Sequence, residues 1–153
     1  MAAGAIEWFE EAMEYMLDGG WEAADSIKLG LTSSTPAAAD AVPAFVSGGT
    51  TNYTEVTPAT GNYTAGGEVL DTWTNMVTEV NAIVTIDDTG PSVSWLQNAS
   101  NPTNARWGII YNSTDTAQRA LAYIDLGAVI DMTAGDLTIT WNASGIATIT
   151  KAP

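Results

Sequence analysis

The sequence predicts a mainly β domain, an antiparallel β-sandwich or jelly-roll-like fold with one N-terminal amphipathic α-helix. Three observations predict it. Leu137, Ile139 and Trp141 alternate strictly with Asp136, Thr138 and Thr140; turn-forming clusters punctuate the chain at short intervals; and a helical apolar stripe is confined to residues 5–18. A pleated strand sends successive side chains to opposite faces, so Leu137, Ile139 and Trp141 form one buried row. Asn142-Ala143-Ser144-Gly145 then supplies a tight turn, with Gly145 free to take the positive φ of a hairpin loop, and the chain returns as Ile146 to Thr150.

The N-terminal segment, residues 1–25, reads as an acidic amphipathic helix and lead-in to a single β domain over 26–153. Ile6, Phe9, Met13, Met16 and Leu17 recur at three- and four-residue steps, with Trp8 and Tyr15 beside them, while Glu7, Glu10, Glu11, Glu14 and Asp18 line the other side. Gly19-Gly20 stops the helix. Like charges spaced four apart cost a few tenths of a kcal/mol per pair, and burial of the Ile6/Phe9/Met13 stripe at about 1.5–3 kcal/mol per large side chain outweighs them. Glu7, Glu10, Glu11 and Glu14 thus make either a solvated helix face or a docking face for a basic partner.

Ile27 to Thr32 alternates as the first strand. Residues 33–67 are rich in Thr, Ala, Gly, Ser and Pro, yet a structureless loop of that length is out of place in a compact domain. The expectation is an excursion packed on the β core through Val42, Phe45, Val46, Tyr53 and Tyr63, with a short strand and a helical turn. Residues 69–86 fit two adjacent strands, the second with Val80, Ala82, Val84 and Ile86 in alternation; Asp87-Asp88-Thr89-Gly90-Pro91 is a turn, and Val93 with Trp95 marks a short strand. Trp107, Ile109 and Tyr111 face one way and Ile110 the other, and in Ala120 to Leu126 both faces are again apolar. Something must cover the second face. The helix, the excursion or a neighbouring subunit can do so, which makes Trp107, Ile110, Tyr111, Tyr123 and Ile124 candidate subunit contacts.

Composition limits the chemistry. The 153 residues fit one domain that buries roughly 70% of its unfolded surface. There is no Cys and no His, which removes disulfides, thiolate metal sites, and nucleophile–imidazole hydrolases. Formal net charge is −14, with 18 acidic residues against four scattered basic ones, Lys28, Arg106, Arg119 and Lys151, so phosphate backbones and anionic membranes are repelled. No apolar run approaches the ~20 residues of a membrane helix, and the glutamate-bearing start is unlike a signal peptide, so the reading is a chain made in a host cytoplasm without a leader.

Carboxylate-only glycoside hydrolysis can draw on Asp71, Asp87, Asp88, Asp125, Asp131 or Asp136, but no spacing selects a pair. Calcium can use the same oxygens, although no Asp-x-Asp-x-Asp-Gly loop exists. Six Trp and five Tyr can form a sugar-stacking platform, but most occupy strand registers that point inward. Sequons at Asn52, Asn62, Asn98, Asn112 and Asn142 are what a Thr-rich chain produces by chance. The expectation is therefore no catalytic residue, no metal and no cofactor.

Five segments carry a family resemblance: Asp25 to Leu31; Tyr63-Thr64-Ala65-Gly66-Gly67; Asn104 to Asn112; Ala122 to Gly127; and Gly135 to Ile146. Together they resemble a family of small virion structural proteins of tailed bacteriophages, over about residues 20–150 and most closely after Asn104. The resemblance implies a capsid decoration or cement protein, a homotrimer seated on the outer shell with the major capsid protein as partner. The N-terminal acidic helix lies outside it. The alternative function is a head-fibre or tail carbohydrate-binding module.

Overall fold

A computed structural model of the chain describes residues 6–80, 83–88, 90, 92–142 and 145–150. Ala82, Thr89, Pro91, Ala143 and Ser144, invoked above in a strand and two turns, lie outside the described residues. The elements in order are β1 (Ile6–Trp8), α1 (Ala12–Tyr15) running into a π-helical turn (Met16–Gly20), β2 (Ser26–Thr32), β3 (Pro43–Phe45), β4 (Thr51–Tyr53), β5 (Glu68–Thr72), α2 (Trp73–Met76), β6 (Val77–Val80), β7 (Ile83–Ile86), β8 (Ser92–Trp95), β9 (Ala105–Asn112), β10 (Ala120–Ile130), β11 (Leu137–Thr140) and β12 (Ala147–Thr150).

The fold is mainly β, and its sheets are antiparallel except for the β3–β4 pair. The largest sheet has the order β1-β10-β9-β2-β5. Leu29 sits opposite Ile110 and Gly30 opposite Ile109, and Tyr123 in turn pairs with Ile109. That register puts Ile27, Leu29, Leu31, Ile110 and Ile124 on one face, and Gly30, Ile109, Tyr111 and Tyr123 on the other. Both faces are buried, as the two-sided apolar pattern demanded.

What covers the second face is the chain itself. Phe45, from the excursion, lies against Tyr111 with ring centroids 4.6 Å apart, and Phe9, from the N-terminal segment, lies 5.1 Å from Tyr123 and 5.7 Å from Tyr53. Phe45 also fills the space left by Gly30, where a Cβ would come within 2.3 Å of the ring. The excursion is thus ordered by Phe45, Tyr53, Val56 and Tyr63, all buried, while Val46 stays exposed. It holds two short parallel strands, β3 and β4, instead of the strand and helical turn read from the sequence.

Four local expectations are corrected. The helix covers only residues 12–20 and not 5–18. Ile6, Glu7 and Trp8 pair instead with Ile124, Tyr123 and Ala122 at the edge of the large sheet. Short alternation and helical spacing are indistinguishable over three residues, and the unpaired edge of β10 decides between them. The apolar stripe is accordingly split: Phe9 is buried, whereas Met13 is 41% and Leu17 82% exposed.

Residues 80–86 are not one strand. β6 and β7 form a hairpin with Val80 opposite Ile83 and Val77 opposite Ile86, and a helical turn, α2, separates β5 from β6. The final two strands do not pair with each other either: β11 pairs with β8 and β12 with β7. Gly145, at φ 82°, donates its N–H to Asn142 O at 2.9 Å, and the strands on either side go to different sheets.

Candidate functional site

A cleft of about 500 Å³ opens between α1 with its π-helical turn and the neighbouring starts of β3 and β10. Its walls carry Glu11, Glu14 and Asp18 with Tyr15, Pro43 and Arg119. The helical segment is pinned from below by Phe9 and Ala12, both buried, so the side chains at its upper turn project outward. Glu11 accepts the Val42 N–H at 2.8 Å, which ties the excursion to the start of α1. Tyr15 donates to Asp115 Oδ2 at 2.7 Å and meets the edge of Trp21 at 6.3 Å. Burial, then that bond to Asp115, pushes its phenol above the ordinary tyrosine range.

Arg119 is the cation of the cleft. Its guanidinium carbon lies 5.2 Å from the centre of the Tyr15 ring, and its Nε is buried without a hydrogen-bond partner. Three carboxylates against one guanidinium leave the cleft net negative, with oxygens able to accept from an ammonium or guanidinium group.

Of the four predicted docking residues, the structure brings Glu11 and Glu14 together in this cleft. Glu7 is elsewhere, in β1, where it accepts a hydrogen bond from the Tyr123 hydroxyl. Glu10 is exposed, and its N–H donates to Ala38 O at 2.9 Å. Sequence reading missed Arg119 and Pro43, since nothing local links them to residues 11–18. Asp18 stood on the predicted acidic face but was not singled out.

The predicted subunit contacts are located differently. Ile110, Tyr111, Tyr123 and Ile124 are buried by their own chain, and the Tyr111 hydroxyl donates to Gly66 O at 2.8 Å. Phe45 and Phe9 cover Tyr111 and Tyr123 on one face, and Ile110 and Ile124, on the opposite face, are buried as well, so none of the four is exposed to a second subunit. Trp107 is half-buried, with the Arg106 guanidinium 4.4 Å over its ring and Tyr123 edge-on at 6.0 Å. Arg106 in turn pairs with Asp125.

Among the carboxylates considered for hydrolysis, Asp71 and Asp131 accept from nearby residues and Asp88 and Asp136 from distant ones, while Asp125 pairs with Arg106. Asp131 accepts from Thr133, Asp136 from the Gln97 N–H at 2.6 Å, Asp88 from Trp141 Nε1 at 2.9 Å, and Asp71 from Asn75 at 2.8 Å. Among the described residues no group of three or more carboxylates is arranged to hold a metal ion, and no helix is long and apolar enough to cross a membrane. Trp21, Trp95, Tyr53, Tyr63, Tyr111 and Tyr123 are buried, so most of the aromatic inventory is core. Asn112 is buried as well. No family model, no curated protein and no solved structure matches this chain.

Proposed function

We propose that the chain is a non-enzymatic virion structural protein, a decoration or cement protein that seats its acidic cleft on a basic loop of the major capsid protein of a tailed phage. The observation that carries the reading is the cleft itself: Glu11, Glu14 and Asp18 around one guanidinium, on an element whose exposed side also presents Met13 and Leu17. A basic loop with an apolar neighbour satisfies both the carboxylates and the exposed methyl groups.

The resemblance over residues 20–150 supports the virion setting and a homotrimer on the capsid surface. The large sheet and the β8–β11 pair contribute to one buried cluster, which supports reading them as two layers of a sandwich or jelly roll.

The experiment is co-sedimentation of the purified chain with mature capsids that lack it, across a salt series. Saturable binding at a fixed ratio to capsid subunits, weakening as salt is raised, is the expected result. A folded chain that does not bind overturns the reading and moves attention to head-fibre or tail glycan binding, which a glycan array tests directly.

A further inference from the structure

We infer that Arg119 takes a carboxylate from the segment that seats in the cleft, so that the cleft selects a loop of mixed charge over a purely basic one. The assignment depends on the cleft being the seat of a basic loop. A guanidinium among the carboxylates that receive such a loop repels the loop's cations, and binding is weaker for it unless the guanidinium is itself paired. A carboxylate on the loop removes that conflict and turns the one unfavourable group of the cleft into a selective one.

Arg119 has no such partner in its own chain. All 18 acidic side chains belong to described residues, and the ion pair found among those residues is Arg106 with Asp125. Glu11, Glu14 and Asp18 line the cleft with Arg119, and none of them pairs with it. What holds Arg119 in place leaves its charge open. Its C=O accepts the Asn112 N–H at 2.9 Å, its N–H reaches Asp115 Oδ2 at 3.4 Å, and its backbone bridges to Ala44. The guanidinium carbon lies 5.2 Å from the centre of the Tyr15 ring, and Asp115 Oδ2 fixes that ring by accepting its hydroxyl at 2.7 Å. Nε is buried while the residue as a whole is half-buried, so the far end of the planar fork is what the cleft presents. A guanidinium held over a ring offers its terminal N–H groups in the geometry a carboxylate accepts two at a time.

The backbone leading into the same walls is held in costly conformations. Among the described residues, Val42, Val46 and Gln118 are the non-glycine residues at positive φ, at 45°, 69° and 49°. Val42 precedes Pro43 and Gln118 precedes Arg119, both cleft residues. The Phe45 N–H donates to Gln118 O at 2.9 Å and ties the two stretches together. Left-handed backbone is most unfavourable for β-branched side chains, and it persists where the surroundings over-determine it, as around a preorganised binding group.

The test is co-sedimentation of the full chain and of Arg119→Gln with mature capsids that lack the protein, at low salt. Net charge alone predicts tighter binding of Arg119→Gln, which carries one more net negative charge. Loss of a paired guanidinium predicts the opposite, binding weakened roughly tenfold. Arg119→Met keeps an apolar stem over Tyr15 in case Arg119→Gln does not fold, and far-UV circular dichroism checks each variant. Arg119→Lys keeps the charge without the fork and should recover part of the loss. Neutral variants that bind as tightly as the parent, or more tightly, overturn the inference and leave the cleft reading standing. A loss that Arg119→Lys does not relieve at all marks a packing role for the side chain and overturns it too. A parent chain that does not bind removes the cleft reading and this inference together.

Discussion

Tyr63 donates its phenolic hydrogen to Glu55 Oε1 at 2.8 Å while its oxygen accepts the Leu31 N–H at 3.0 Å. The same Glu55 oxygen accepts the Gly66 N–H at 2.6 Å, so one buried phenol and one carboxylate fasten the excursion to β2. Tyr63→Phe keeps the ring and its packing against Trp95 but strands a buried N–H, and should cost about 1–3 kcal/mol in urea denaturation. An unchanged midpoint and slope would show that the excursion is held by apolar contact alone.

Gly30 carries the opposite kind of constraint, a close approach in place of a bond. An added Cβ would meet Phe45 Cζ at 2.3 Å, and that ring is already backed by Tyr111. Gly30→Ala should therefore destabilise by about 1–3 kcal/mol through overpacking. Combined with Phe45→Leu the loss should be less than the sum of the two single losses, and additive values in the double-mutant cycle would rule out this contact as the cause.

These two sites mark how far the sequence could be read. Two-residue alternation located β2, β9, β10 and β11, because burial on a pleated surface writes that period directly. The apolar residues on both faces of β9 and β10 required a cover, and Phe45, Tyr53 and Tyr63 were among the residues expected to pack there. Partner choice was not legible: Leu137 pairs with Trp95, not with the strand that follows it, and no local signal encodes a pairing across some 40 residues of chain. The same limit applies to the cleft. Glu11 and Glu14 stand out as acids in sequence, but Arg119 reaches them only through the path of β10.

Two aspartates should answer to pH with opposite signs. The Arg106 guanidinium, then the Gly127 N–H, hold the Asp125 carboxyl below the usual range. A carboxylate depressed in the folded state stabilises above its unfolded value, about pH 4, and that stability is lost as pH falls through the lower folded value. Asp125→Asn should thus lower Tm at neutral pH and have progressively less effect below about pH 4. Desolvation pushes Asp87 upward, against the Asp88 N–H that favours its charge. Its ionisation works against folding once pH exceeds the unfolded value, so Asp87→Asn should raise Tm at neutral pH and lose that gain in acid. Parallel melts at both pH values check the pair, and shifts of the same sign in the two variants would contradict the assignment.

Charge at the cleft can be altered without loosening the fold. Glu14 is exposed and Glu11 bonds Val42 through an oxygen that glutamine retains, so Glu11→Gln/Glu14→Lys should change stability by no more than about 0.5 kcal/mol per site. If the cleft seats a basic loop, capsid retention should fall several-fold at low salt, and the difference from the parent chain should shrink as salt rises, because the lost interaction was screened already. Asp131→Asn is the control: its carboxylate is a turn acceptor for Thr133 in the loop between β10 and β11, not a cleft residue, and its loss should leave retention unchanged. Losses in proportion to the charge removed, three units in the cleft variant and one in the control, would mean that overall negative charge, not the cleft, attracts the shell. A cleft variant that is retained like the parent at every salt would place the contact on another part of the surface.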